Sequence, residues 1–219
     1  MTFDIVTLFP ALFDSFANES IVARAQQEGR IRFRYHNPRM GARDKHHTVD
    51  DRPYGGGAGM LMKIDPLVRT LKKIKKFKRS RTILLSPSGT QFTQRKAARL
   101  SRRYDQIILI CGRYEGVDAR ITNYIDEEIS VGPYVLNGGE VAAMAVVESV
   151  FRLLPGVLGN SESIREETWT SGTTKKYPQY TRPEVFDGHR VPKVLLSGDH
   201  ARIAAWRTKR GGILSPKGA

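Results

Sequence analysis

The apolar positions along the chain fall into short unbroken runs and longer spaced ones, and the two kinds predict different elements. Ile107-Ile-Leu-Ile-Cys111 and Thr82-Ile-Leu-Leu85 leave no alternate position for water, so they predict strands covered on both faces, as in a parallel sheet. Phe3-Asp-Ile-Val-Thr-Leu8 predicts an opening strand, and Asp126-Glu-Glu-Ile-Ser-Val131 is a further extended segment. Arg30-Ile-Arg-Phe-Arg-Tyr35 alternates cations with apolar residues, the pattern of a half-exposed strand with a positive outer face. Between the first two strands, Leu12, Phe13, Phe16, Ile21, Val22 and Ala25 predict helix, opened by Pro10 and ended by Gly29. Leu67, Leu71 and Ile74 predict a helix over 64–76, Ala97 and Leu100 a basic one over 93–103, and a short one is expected near 119–124. The stretch 141–154 is apolar on nearly every side before Pro155 and Gly156 stop it, so it is expected to be buried on more than one face, including a helix-to-helix dimer contact. Strands alternating with helices give an α/β fold with a parallel sheet.

In such sheets the loops leaving the carboxyl ends of the strands form the ligand crevice. Three of them are polar and rich in glycine: Ser86-Pro-Ser-Gly-Thr90, Gly112-Arg-Tyr-Glu-Gly-Val-Asp118 and Val131-Gly-Pro-Tyr-Val-Leu-Asn-Gly-Gly-Glu140. One glycine turn after a strand is ordinary in any α/β protein. Three from one sheet are expected to converge on a single pocket. Gly55-x-Gly57-x-Gly59 does not join them as a nucleotide loop, because Asp50-Asp-Arg-Pro-Tyr54 rather than a buried strand precedes it and no Gly-Lys-Ser or Gly-Lys-Thr follows. It closes a long irregular stretch, 37–60, of a length that is usually functional.

Composition narrows the partners. The 219 residues are 40 % apolar, enough for a core, and no apolar run reaches the ~18 residues of a membrane span. The start, Met1-Thr-Phe-Asp-Ile-Val, shows no leader pattern, and Cys111 as the only cysteine excludes an intrachain disulfide; a soluble, cytoplasmic protein is expected. The formal charge is +14, and between Asp65 and Asp105 thirteen basic residues stand with no acidic one among them. Such a balance points to a polyanion such as RNA, although a run like Lys72 to Lys78 could equally be a solvated helix face. The five histidines show no zinc-ligand spacing. A glycine-bounded polar stretch, 159–172, reads as a linker between a domain over 1–158 and a small one over 173–219. In the latter, 177–185 is too turn-rich for helix, 191–196 is a short apolar segment, 198–207 is a helix with Asp199 near its cap, and 209–219 is expected to fray.

With these motifs in place the chain resembles the bacterial tRNA guanine-N1 methyltransferase family, TrmD, of the knotted SPOUT methyltransferases. The matching segments are Val49-Asp-Asp-Arg-Pro-Tyr-Gly-Gly-Gly-Ala-Gly-Met60, Leu85-Ser-Pro-Ser-Gly89, Cys111-Gly-Arg-Tyr-Glu-Gly-Val-Asp118, Tyr134-Val-Leu-Asn-Gly-Gly-Glu140, Leu154-Pro-Gly-Val-Leu-Gly159 and Tyr177-Pro-Gln-Tyr-Thr-Arg-Pro-Glu-Val185, in family order. The resemblance implies a parallel sheet tied in a deep trefoil knot, the exception to unthreaded connections, and a homodimer with its active site between subunits. It implies S-adenosylmethionine as donor, the guanine immediately 3′ of a tRNA anticodon as acceptor, and an association with Mg2+, for which no carboxylate cluster marks a site. Carried over by position, Ser86, Pro87, Gly89, Gly112, Val131, Gly132, Tyr134, Leu136, Gly138 and Gly139 hold the donor, while Asp50, Tyr54 and Glu115 meet the RNA. Relative to the family, the small C-terminal helical domain is expected to be truncated.

Methylation at N1 removes a ring proton and pushes charge onto O6, so the reaction wants a carboxylate base and a fixed cation. By the resemblance the cation is Arg152, which is otherwise an ordinary cation at a helix end. Where the family has an aspartate five positions before a glycine, this chain has Glu167, five before Gly172, with Glu166 as a substitute. Competing readings are a non-catalytic RNA-binding protein that keeps the fold, a related enzyme acting on ribosomal RNA, and a methyltransferase using Cys111 as nucleophile. The last is weakest, since a cysteine at the end of a buried strand is ordinarily structural.

Overall fold

The computed structural model describes residues 1–158, 167–169 and 174–213. The chain divides into two compact units, Met1–Gly159 and Asn160–Ala219. In the first, β1 (Thr2–Val6), β2 (Arg32–His36), β5 (Ser80–Gln91), β6 (Gln106–Cys111) and β7 (Glu127–Ser130) form one sheet in the order β2-β1-β6-β5-β7, every pair parallel. Two two-residue strands, β3 (Asp50–Asp51) and β4 (Leu61–Met62), make a small antiparallel ladder of their own.

The unbroken apolar run of β6 is explained by its position. Each of its residues is buried, and successive side chains enter different cores. Ile107, Leu109 and Cys111 join Phe3, Ile5, Val22, Leu100, Val146 and Val150, under α2 (Ser20–Gln27), α4 (Gln94–Arg103) and α5 (Gly139–Phe151). Ile108 and Ile110 join Leu67, Val68 and Leu71 of α3 (Ile64–Lys73), together with Ile121. Each such side chain contributes about 1.5–3 kcal/mol by leaving water, so an unpartnered polar residue among Ile107 to Cys111 would cost the sheet its centre. One buried charge is accommodated by bonding: Asp4 on β1 lies 2.7 Å from His36 Nε2 and accepts from Gln106 Nε2 at 2.8 Å.

Two sequence expectations are corrected. The strand expected to end at Leu85 runs to Gln91: Leu85 and Thr90 both pair with Ile129, and residues 86–89 bulge out between them before α4 begins at Gln94. The cause is Gly89, where an added Cβ would stand 2.5 Å from Ile129 N, so the chain closes back onto β7. Nor is the basic stretch without counter-charges. Acids outside the stretch supply them: Glu127, distant in sequence, takes Arg81 at 3.0 Å, Lys96 at 3.1 Å and Arg99 at 3.4 Å, while the flanking Asp65 pairs with Arg69 and Asp105 with Arg79.

Burial alone would raise the Glu127 carboxyl, but the Arg81 and Lys96 cations outweigh it and hold the group below the usual carboxylate range. A depressed native pKa gives stability that is present above the unfolded value and lost as pH falls through the native one. Glu127→Gln is therefore expected to cost ~1–3 kcal/mol near neutrality, the worth of charge-assisted bonds, with the gap to the parent narrowing in acid. Urea denaturation at neutral and acid pH measures it, and a gap independent of pH would contradict the account.

In the second unit, Thr174–Lys175 pairs with Gly212–Ile213, Val185–Phe186 with His189–Arg190, and a helix over His200–Arg210 is capped by Asp199, which accepts from Arg202 N at 3.0 Å. The expected helix and cap are found. The expected fraying from 209 is not, since Lys209 and Arg210 are helical and Gly212–Ile213 is paired; 214–219 lies outside the described residues. Of the linker expected over 159–172, only 167–169 is described.

Candidate functional site

A cleft of about 470 Å³ opens at the bulge of β5 and the carboxyl ends of β6 and β7. Its walls are the three glycine-bearing loops. Ser86, Pro87, Gly112, Val131, Gly132, Tyr134, Leu136, Gly138 and Gly139 all line it, as does Glu115; Gly89 does not, being used to pack strand on strand. Leu84, Ile129, Ala142 and Leu136 provide apolar wall, and Ser86, Ser88, Arg113, Glu115 and Asn137 bring polar groups to it.

The glycines are what bring these loops together. Gly139 N donates to Gly112 O at 2.9 Å, and a Cβ on Gly139 would come within 2.7 Å of Cys111 Cα, so the first turn of α5 can lie against the end of β6 only without a side chain. A Cβ on Gly132 would enter the Tyr134 ring at 2.2 Å, and the Tyr134 hydroxyl donates to Val131 O at 3.3 Å, folding the ring over its own loop.

Beneath the cleft lies a charged pair that the sequence reading did not single out. Glu140 in the first turn of α5 is 1 % exposed; its Oε1 accepts from Thr7 Oγ1 at 2.7 Å and its Oε2 stands 2.9 Å from Arg113 Nε. The Arg113 N–H is not aimed at that oxygen, so the contact is an ion pair rather than a hydrogen bond. The guanidinium also sits 4.6 Å above the Phe9 ring. Three chain segments, 7–9, 113 and 140, are thus tied under the loops that form the cleft. A signal was present: Glu140 falls at helical spacing with Ala143, Val147 and Val150, a charge on the apolar stripe.

The same pair bears on Cys111. Burial pushes its thiol well above the ordinary range and Glu140 adds to this, so the thiolate that a nucleophile needs is suppressed. The cysteine is a core residue.

The remaining expected residues fall elsewhere. The glycine-rich segment docks on the 112–118 loop: Met62 N donates to Gly116 O at 2.9 Å, Glu115 N to Met60 O at 3.0 Å, and Gly59 lies against the Glu115 side chain. Gly55, Gly56, Gly57 and Gly59 all have φ between 80° and 123°, the left-handed region that only glycine enters without strain. Asp50 is in β3, and Tyr54 is fully exposed; neither lines the cleft. Arg152 caps the far end of the 13-residue α5, roughly 20 Å along the helix from Gly139 at ~1.5 Å per residue. Glu167 is described and half-buried, in the second unit, while Glu166 lies outside the described residues. Among the described residues no group of three or more His, Cys, Asp or Glu could hold a metal ion, and no helix is long and apolar enough to cross a membrane.

Residues 1–212 match the family model described as tRNA (guanine-1)-methyltransferase TrmD. Three relatives named tRNA (guanine-N(1)-)-methyltransferase are each 51 % identical to this chain. The one from Citrifermentans bemidjiense aligns over 211 residues, 95 % of this chain and 84 % of the relative. Those from Dictyoglomus turgidum and Clostridium novyi each align over 94 % of this chain, and over 83 % and 85 % of their own lengths.

Proposed function

The chain belongs to the tRNA (guanine-1)-methyltransferase TrmD family, and from that membership we propose how its cleft and its two units divide the work. The protein is a tRNA (guanine-N1)-methyltransferase, and the acceptor is the guanine immediately 3′ of the anticodon. The observation that carries the assignment of the cleft is that three loops separated in sequence close around one space of about 470 Å³, the size class of small-molecule sites.

S-adenosylmethionine fits that space in chemistry as well as size. Leu136, Ile129 and Ala142 offer an apolar seat for an adenine, while main chain at Gly112, Gly132 and Gly138 offers amides and carbonyls for its ring nitrogens and ribose. When bound, the donor supplies a methyl on a positively charged sulfur. The chain's part is to hold the acceptor guanine in line with that methyl, accept the N1 proton and stabilise the charge that grows on O6. Glu167 takes the proton and Arg152 faces O6; Asp50, Tyr54 and Glu115, on segments docked to one another at the cleft's edge, position the RNA.

The active unit in this reading is a homodimer. Arg152 stands a helix length from the cleft of its own chain, so a second copy is needed to bring an Arg152 to each cleft. Leu12, Val135 and Val141 are large apolar residues left exposed near α5, as a subunit contact requires. The return of the chain from β7 at the sheet edge to Cys111 at its centre supports the knotted path of the SPOUT fold. A non-catalytic RNA-binding role is less well supported, because the relatives are named as enzymes.

Incubating the purified chain with donor and unmodified tRNA, then analysing nucleosides by mass spectrometry, is expected to yield 1-methylguanosine beside the anticodon. Donor binding without that product would leave the binding-protein reading.

A further inference from the structure

The sheet has two ends, and the cleft uses only one. The starts of the strands lie together at the other: Thr2 pairs with Gln106 and with Arg32, and Ser80 with Gln106. Around this end the chain places Arg32 and Arg34 on the edge strand, Lys75, Lys76 and Lys78 in the connection from α3 to β5, and Arg102 and Arg103 at the end of α4. Bonds between side chains and backbone fix these pieces to one another. Gln106 accepts from Phe77 N at 2.7 Å and donates to Lys75 O at 3.1 Å; Arg79 Nε donates to Arg103 O at 2.8 Å; the Arg34 guanidinium lies over Phe77 at 5.7 Å.

The charges here differ from those on the face beside α4. There Arg81, Lys96 and Arg99 are engaged by Glu127, whereas at the strand starts the three lysines are exposed and, among the described residues, no ion pair reaches them. The nearby acid Asp105 is 3.7 Å from Arg79. A belt of this kind also carries no exposed large apolar side chain between 72 and 81 or between 99 and 106, which a membrane-surface site would need.

We propose that the belt at the strand starts is a second RNA-binding surface, which grips phosphates of a folded tRNA outside its anticodon stem–loop. The inference rests on the reading of the protein as a tRNA methyltransferase. The two ends of the six-residue β6 are roughly 17–20 Å apart, at ~3.3 Å per residue, so one nucleotide cannot span cleft and belt while a folded tRNA can. Phosphate contacts position an RNA without reading its sequence, so such a belt adds affinity for a folded tRNA without selecting among sequences.

The test replaces Lys75, Lys76 and Lys78 together by glutamate and measures affinity over a salt series for whole tRNA and for the isolated anticodon stem–loop. Thermal melting and donor binding of the same variant serve as controls that the fold and cleft are intact. The belt predicts at least about tenfold weaker binding of whole tRNA at low salt, and a log–log salt slope shallower by about two to three, since each phosphate contact contributes ~0.7–0.9. Stem–loop affinity should stay unchanged. An unaltered slope overturns the proposal, as does equal weakening toward both RNAs, which would report a diffuse field. Loss of binding to phosphatidylserine vesicles with tRNA affinity intact would overturn it in favour of a membrane surface. Methylation of tRNA by the parent chain, measured alongside, shows separately whether the enzymatic reading stands.

Discussion

Glu167→Gln is expected to lower methyl transfer to tRNA by ~10²–10⁴-fold, the usual worth of a general base, while donor affinity measured by calorimetry stays within about twofold. The asymmetry follows from where the groups lie. All the donor-facing residues assigned to the cleft fall between 86 and 139 in the first unit, and Glu167 falls in the second. The amide of glutamine keeps the size of the side chain but cannot accept the N1 proton, so on the proposed assignment the reaction loses its base without losing its donor seat. Glu167→Asp restores a carboxylate one methylene shorter, the residue type that the family resemblance puts there, and is expected to keep most of the activity. Full turnover by Glu167→Gln would move the base to Glu166 or another group. Loss of donor binding in the same variant would instead mean that Glu167 helps to shape the cleft.

How much of this was legible in the sequence depended on whether the signal was local. β6 announced itself because a strand covered on both faces is apolar wherever no buried partner meets a polar group, and the structure covers both faces of Ile107 to Cys111. The three glycine-bearing loops were readable for a related reason: main chain can approach main chain only where there is no Cβ, and Gly139 against Cys111 is such an approach. What stayed hidden was pairing across the fold. Nothing near Arg81, Lys96 or Arg99 in sequence says that Glu127 will meet all three, and local charge counting overstated the free positive surface. The continuation of β5 past Pro87 was missed because Ser86-Pro-Ser-Gly-Thr90 has turn chemistry; the bulge obeys it, and the ladder to Ile129 resumes afterwards. Arg152 is a third case. Its helix-end position was readable, but its distance from the cleft of its own chain is a property of α5 as a rigid rod, and makes the proposed second subunit a geometric requirement of the catalytic assignment.

Glu140→Ala is expected to be the most destabilising substitution near the cleft. Removing one partner of a buried pair costs ~3–5 kcal/mol because the other charge stays behind uncompensated; Arg113 keeps 21 % of its side-chain surface in water, so about 2–4 kcal/mol is expected here. Thr7 loses its acceptor as well, which leaves the hydroxyl proton unmet although its oxygen still accepts from Phe9 N. The damage should reach the ligand, since Arg113 and Gly138 both line the cleft and Glu140 follows Gly138 by two residues; donor affinity should fall together with the urea midpoint. The decisive comparison is with Arg113→Met made on top of Glu140→Ala. If the penalty is the stranded guanidinium, the double variant should be more stable than Glu140→Ala alone, an interaction that a simple loss of packing volume would not produce. A single-variant loss below about 1 kcal/mol would mean that water screens the pair and that the three segments beneath the cleft are held by Phe9 and the glycine contacts instead.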